Sequence, residues 1–426
     1  MLNRQPLTAY QVLLSVFCFI ATIATVQAQG IGNSPYTALG IGEQNSGAFA
    51  PNLSMGGAGV ASANGIYINN LNPALLAWNR FTTFEVGMIG QSKTITESSK
   101  TQQTFGANLH YIALSFPVAT RWTMSLKLMP YSYVDYEVRS IRAIPNTPNF
   151  AKYTNTGKGG LNKASITNGF MIGKSLFLGA EVGFLFGGID RESDSQTLLN
   201  DGQDYRLVLL DRTNYSGGFF KGGFAYRQKL HDKLFLNIGG TADLQTNVGA
   251  ERLQTFEAYV GEKTVGVIGA DTIRNFANSH ITLPASYRFG IGLEKPNKLQ
   301  VSLDYTIRNW TKYRNFSNQA EYSQNGFTTN LGLAYTPNFL ATTGFFKKTE
   351  YRFGLNYTRT PYTTPDGKPI DDYHATFGFG LPLRDLSFIN LGFAVGQRNG
   401  TIKENYWRFT LGFTLNDRWF VRYRLE

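Results

Sequence analysis

Leu71-Asn72-Pro73-Ala74-Leu75-Leu76-Ala77-Trp78-Asn79-Arg80 separates two kinds of sequence. Before it, Gly30 to Gly65 is mostly Gly, Ala, Asn and Ser, including Ser54-Met55-Gly56-Gly57-Ala58-Gly59-Val60, with no strand or helix pattern. Such a run buries little apolar area by itself, so it is ordered only by something around it. After Arg80 the period becomes two. Trp122, Met124, Leu126 and Leu128 share one face, against Thr123, Ser125 and Lys127 on the other. Leu299, Val301, Leu303, Tyr305 and Ile307 alternate with Gln300, Ser302, Asp304, Thr306 and Arg308 in the same way. Trp407, Phe409, Leu411, Phe413 and Leu415 alternate with Arg408, Thr410, Gly412 and Thr414.

Seven strands are expected near 81–96, 103–116, 121–139, 161–172, 176–188, 216–228 and 233–248. Seven more are expected near 280–293, 298–313, 322–335, 349–361, 372–382, 386–398 and 405–415. Fourteen is an even number, as bacterial single-chain barrels require. With a periplasmic N-terminus, short turns belong after even-numbered strands; short links occur at Pro117–Thr120, Gly173–Ser175, Lys229–Asp232, Glu294–Asn297 and Leu383–Asp385, of which those at Pro117 and Lys229 follow even strands while those at Glu294 and Leu383 depend on where the blurred strands are counted. Long loops are expected at Ser140–Gly160, Ile189–Tyr215 and Thr246–Ser279, and Thr336–Lys348 reads as an insertion. A barrel this wide is not filled by its own side chains, so the glycine-rich segment is the natural filler of the lumen. The expected organisation is a plug at 29–80, a transmembrane antiparallel β-barrel at 81–415 and a basic aromatic tail at 416–426.

Composition agrees with a membrane barrel. Among 426 residues there are 45 Gly, 32 Phe and 23 Tyr, while only 16% are charged. Arg4, the apolar run Val12 to Thr25 and the small-x-small Val26-Gln27-Ala28 read as an export signal ending at residue 28. No later stretch is apolar for about twenty residues, which excludes helical spans. The single cysteine, Cys18, falls inside the leader, which leaves no disulfide, zinc-thiolate site or cysteine nucleophile downstream. The net charge of +11 suits an acidic neighbour. For an exported chain that neighbour is anionic lipid or lipopolysaccharide, with no nucleic-acid partner.

Asn72-Pro73-Ala74 after a Gly/Ala/Ser-rich start resembles the hatch of the outer-membrane long-chain fatty-acid transporter family, the FadL-like barrels. Leu283-Pro284-Ala285-Ser286-Tyr287-Arg288-Phe289-Gly290, Leu303-Asp304-Tyr305 and Trp310-Thr311-Lys312-Tyr313 resemble it as well. The resemblance continues through Phe327 to Tyr335, Tyr351-Arg352-Phe353-Gly354 and Arg359-Thr360-Pro361. It implies a fourteen-stranded barrel with an N-terminal plug, through which hydrophobic molecules diffuse to a lateral or plug-gated exit. Asn72, Pro73 and Ala74 are then the gate residues. The start Asn33-Ser34-Pro35-Tyr36 and the end Arg418-Trp419-Phe420-Val421-Arg422-Tyr423-Arg424 resemble a branch found in Bacteroidota, in which similar barrels also serve as non-transporting subunits of secretion or assembly machines.

No catalytic constellation is expected. His110, His231, His280 and His374 are scattered, none at metal-ligand spacing, and no nucleophile elbow or nucleotide loop is present. Neither enzyme activity, a metal nor a cofactor is implied. Lys127, Asp304, Arg308, Arg352 and Arg408 fall on lumen-facing positions, where an arginine fork suits an anionic ligand such as a fatty carboxylate. The competing reading is that they pair with each other or with the plug, as buried charges generally must. Asp190, Glu192 and Asp194 form an acidic run in an expected outer loop, suited to solvent or to cation bridging with lipopolysaccharide. Trp122, Tyr133, Trp310, Tyr313 and Tyr406 are expected in the interfacial aromatic girdles.

Two functions fit: passive outer-membrane uptake of hydrophobic small molecules such as long-chain fatty acids, or a structural adaptor barrel among other outer-membrane complex subunits. A continuous apolar path past residues 54–74 favours uptake. A lumen crossed by salt bridges, with apolar outer loops, favours the adaptor.

Overall fold

The computed structural model describes residues 31, 33–62, 64–98, 100–199, 205–260, 267–364, 367–383 and 386–417. Fourteen antiparallel strands form one closed sheet. The first seven are β1 (Thr82–Glu97), β2 (Lys100–Ala119), β3 (Trp122–Pro130 and Ser132–Ala143), β4 (Phe150–Ile172), β5 (Leu176–Leu198), β6 (Tyr205–His231) and β7 (Leu234–Asp243 and Thr246–Val260). The others are β8 (Val267–Leu283 and Ser286–Lys295), β9 (Leu299–Arg308), β10 (Gly326–Tyr335), β11 (Glu350–Thr363), β12 (Pro369–Pro382), β13 (Phe388–Asn399) and β14 (Lys403–Asp417). β14 returns to pair with β1, for instance Trp407 opposite Ser92 and Leu415 opposite Phe84, which closes the ring.

Alternation sets which face looks inward. On β1, Thr83, Glu85, Gln91 and Lys93 are buried while Phe84 is exposed. On β3, Thr123, Ser125 and Lys127 are buried while Leu126 and Leu128 are exposed. Polar residues inside and leucines outside invert the pattern of a water-soluble core, and a barrel with such an apolar belt spans a bilayer.

Each of the fourteen expected segments coincides with one strand, and the five expected short links follow even-numbered strands, although β1 and β2 are also joined by a tight turn with Glu97 opposite Lys100. Among the described residues the expected long loops are mostly strand. Residues 140–160 and 189–215 largely continue the β3 to β6 ladder, with pairs such as Ser140–Tyr153 and Glu192–Leu210. Much of 246–279 is likewise paired, between β7 and β8. β4, β5 and β6 run for 23, 23 and 27 residues, about twice the nine to eleven needed to cross a membrane. Beyond the bilayer both faces meet water, so the apolar alternation fades although the backbone ladder continues. The insertion after β10 contains a short helix, Phe345–Lys348. The last strand ends at Asp417, two residues past the expected limit, and the tail from 418 lies outside the described residues, as does the leader.

The N-terminal segment occupies the lumen. Phe49, Ala58, Ala74 and Ala77 are fully buried there. The approach is close enough at Gly354 of β11 that a Cβ would collide with the backbone of Met55 and Gly56.

Leu126→Arg, in the middle of the apolar face of β3, is expected to cost about 2–4 kcal/mol of folding free energy. Phe150→Arg, on the projecting hairpin, is expected to stay within about 0.5 kcal/mol. Urea-dependent folding into lipid vesicles measures both.

Candidate functional site

A backbone segment inside a barrel must find partners for its N–H and C=O groups without water. Here the wall supplies them. Asp304 Oδ2 on β9 accepts from the Gly59 and Val60 amides at 2.8 and 2.9 Å. Thr376 Oγ1 on β12 accepts from Gly56 N and donates to Ser54 O, each at 2.9 Å. Glu85 on β1 accepts from Ile68 N at 2.8 Å.

Asn72, Pro73 and Ala74 lie against β5 and β6. Asn72 Nδ2 donates to Val60 O at 2.8 Å and to Phe224 O at 2.9 Å, while Oδ1 accepts from Ala74 N. That last bond caps the 3-10 helix Pro73–Trp78, whose first residue suits proline because it has no N–H to satisfy. Asn72 thus ties two parts of the segment to the wall.

Charged groups of the wall hold the segment at both ends, by ion pairs at one and by a hydrogen bond at the other. Near the outer mouth, Arg398 on β13 meets Glu43 at 2.5 Å, Asp372 at 3.1 Å and Glu404 at 3.3 Å. Lys93 reaches Glu43 and Glu404 at 3.7 and 3.8 Å, and Ser34 donates to Glu404. Burial pushes the Glu43 carboxyl up, but Arg398 and Lys93 outweigh it and hold it well below the usual carboxylate range. Near the periplasmic end, Tyr67 donates to Glu350, which pairs with Arg352 at 2.9 Å.

Of the five charged residues expected in the lumen, four are engaged by the wall or the segment. Lys127 pairs with Glu181 at 3.1 Å and donates to Asn70 at 2.5 Å. Asp304 and Arg352 hold the segment as described, with Arg352 also donating to Asn390. Arg408 donates to Gln91 at 2.9 Å. Arg308 differs: among the described residues its side chain has no hydrogen bond or ion pair, and it lines two small internal cavities of about 100 and 170 Å³.

The wall has a breach. β2 pairs with β3 only from Ile112–Leu128 to Ala119–Trp122. Above that point, among the strands of the wall, β2 is bonded only to β1 and β3 only to β4. The break sits at Pro130, which lacks an N–H for the ladder, and Gly160 on β4 lets Ser132 approach where a Cβ would collide with its carbonyl. A cavity of about 1060 Å³ fills the gap, bordered by Thr104, Asn108, Tyr136, Lys158 and Asn162. The N-terminal segment closes its inner side. Glu43 and Gln44 pair with Tyr133 and Ser132 as a two-residue strand, and Ser34 N donates to Asp135 O at 2.8 Å. Asn33 spans the gap: its amide donates to Thr104 Oγ1 at 3.3 Å, and its side chain accepts from Glu137 N at 3.0 Å. Pro130 within an apparently continuous strand was the sequence signal for this breach.

Four aromatic residues expected at the membrane interfaces are inside instead. Tyr133, Trp310, Tyr313 and Tyr406 are buried. Trp310 and Tyr313 pack with Tyr322, Tyr362 and Ile41 because the chain after β9 turns back into the mouth through the short helix Trp310–Lys312. Trp122 does lie at a strand end, stacked on Phe170. Asp190 and Asp194 face arginines of β6, Arg212 and Arg206, across strand rather than loop. His110 is buried against Ala48 O, and His374 lies beside Asp372 and Tyr406.

Asn72→Ala strands the buried Ala74 amide and the Val60 and Phe224 carbonyls, and is expected to cost about 1–3 kcal/mol. Thermal unfolding in detergent, with faster exchange at Ala74, reads this. Glu43 has a folded pKa below its unfolded one, so its ion pairs stabilise fully above the ordinary carboxylate pKa and are lost as pH falls below it. The protection of amides 33–46, measured as exchange relative to the intrinsic rate at each pH, is expected to stay constant from about pH 8 to 5 and to fall below about pH 4.

The fold is shared with outer-membrane channels. The chain is similar to the Pseudomonas putida toluene transporter TodX, with 16% identity and a TM-score of 0.62 over 88% of this chain and 100% of that one. It is similar to a Pseudomonas aeruginosa FadL homologue at 13% identity and TM-score 0.57, covering 88% and 99% of the two chains. The CymD monoaromatic hydrocarbon channel gives 13% identity and 0.55, covering 89% and 99%. No curated protein sequence matches. The family model described as BamG matches residues 10–426, nearly the full length, and the chain belongs to the BamG family.

Proposed function

We propose that this barrel is a sealed, non-transporting subunit of an outer-membrane complex rather than a free-standing pore. One observation carries the reading: the lumen is crossed at three levels, by Arg398 with Glu43, by Asp304 with Gly59 and Val60, and by Glu350 with Tyr67. Removing one partner of the Arg398–Glu43 ion pair costs about 3–5 kcal/mol, and leaving the buried groups of the other two levels without their hydrogen bonds costs about 1–3 kcal/mol each, so an axial path would require all of these losses at once. The internal cavities of about 100 and 170 Å³ also fall below the roughly 300 Å³ at which small-molecule sites begin. Outside the bilayer the projecting hairpins expose Ile141, Phe150, Leu207 and Ile273, apolar area suited to partner subunits. The leader, the apolar belt and the net charge of +11 support an outer-membrane address beside anionic lipid and lipopolysaccharide. No catalytic step belongs to this role.

The breach favours a second reading, passage of a hydrophobic small molecule through the side wall. Leu128 borders both the breach cavity and an apolar groove on the lipid face formed with Ile112, Leu114, Ile166 and Phe184. A shift of Asn33 and Ser34 would open that path without disturbing the axial ion pairs. Toluene-sized compounds or long-chain fatty acids would be the cargo, and the segment around Asn72, Pro73 and Ala74 would stay fixed as the anchor of the plug.

Mild detergent extraction from the native membrane, followed by size and mass analysis, separates the two. The expected product is a stoichiometric assembly without bound hydrophobic compound. A lone barrel carrying a fatty acid or aromatic compound would overturn the subunit reading in favour of side-wall passage.

A further inference from the structure

We propose that the lumen contains a site for one small oxyanion, phosphate or a short carboxylate, held by Lys221, Arg288 and Arg308. The cavity of about 100 Å³ lies between Gln44 to Gly47 of the N-terminal segment and the wall formed by β4 and β6 to β9. Its surroundings are not neutral. Five cations, Lys127, Lys163, Lys221, Arg288 and Arg308, face three carboxylates, Glu181, Asp243 and Asp304, leaving two positive charges in excess.

Among the described residues none of the three carboxylates forms an ion pair with Lys221, Arg288 or Arg308, although Asp243 borders the cavity and Asp304 Oδ1 is buried without a partner. Glu181 is shared by Lys127 and Lys163 at 3.1 and 3.4 Å. Asp304 Oδ2 takes the two backbone amides. Asp243 stands opposite Lys221 in the β6–β7 register without an ion pair between them. Arg288 is 9% exposed; its Nε donates to Thr306 and its Nη2 reaches Ser46 O at 3.5 Å, but Nη1 is buried with no acceptor. Lys221 and Arg308, both half-buried, have no hydrogen-bond or ion-pair partner for their side chains among the described residues.

Uncompensated charge and an orphaned guanidinium N–H inside a barrel are both costly. One oxyanion removes both costs, since it brings negative charge and several acceptor lone pairs to two arginine forks. The volume admits phosphate or acetate and no hydrocarbon chain. Through Arg288 and Ser46 the anion would also fasten the N-terminal segment to the wall. The inference is independent of whether the barrel is a subunit or a side-wall channel.

The test uses the full chain in detergent, prepared without phosphate. Phosphate or acetate added at constant ionic strength is expected to raise the melting temperature saturably, and equilibrium dialysis is expected to find one phosphate per chain. Lys221→Gln with Arg308→Gln should abolish both effects while melting no lower than the native chain in chloride; Lys174→Gln, in an exposed turn, should retain them. A native chain that binds no phosphate and whose melting ignores both probes would overturn the site, whatever the variants do. A response confined to dodecanoate, or one unchanged in the double variant, would overturn it as well.

Discussion

A fourteen-stranded barrel encloses more space than its own side chains fill, and this chain fills it with its own backbone. That choice obliges the wall to satisfy amides and carbonyls cut off from water. Asp304, Thr376 and Glu85 do so, each bonded to the segment at 2.8 to 2.9 Å, and Asn72 of the segment in turn donates to the wall carbonyl of Phe224 at 2.9 Å. A backbone packed this closely also restricts the wall, as at Gly354, where any side chain would displace Met55 and Gly56.

The same confinement explains the charges. An isolated ion in the lumen is unfavourable, so Lys127, Arg352 and Arg398 appear with carboxylates within 3.1 Å. These pairs need not add much stability relative to an apolar filling. They fix position: Arg398 binds Glu43 from the segment together with Asp372 and Glu404 from two different strands, which defines one seating of the segment. Where pairing fails, around Arg288 and Arg308, the structure has an unmet demand for negative charge.

Membership of the BamG family and the fold of hydrophobic-compound channels meet in one architecture. The likeness to the channels is one of fold, a closed ring of fourteen antiparallel strands, and this chain's ring carries a breach between β2 and β3. The interior along the barrel axis departs from what an apolar cargo needs, because the two cavities beside Arg308 are small and bordered by charge.

The sequence alone determined the strand number and, for β3, β9 and β14, the lipid-facing side. Each follows from a local property, since alternation assigns a face residue by residue. It misjudged the strand lengths beyond the bilayer, where water on both faces erases the alternation, and it placed Trp310 and Tyr313 in a girdle although their segment folds back into the mouth. Pairings such as Ser34 with Glu404, 370 positions apart, leave no mark in the local pattern. Only the closed barrel decides them, because closure brings β1 and β14 together around one segment and forces every polar group inside to find its partner there.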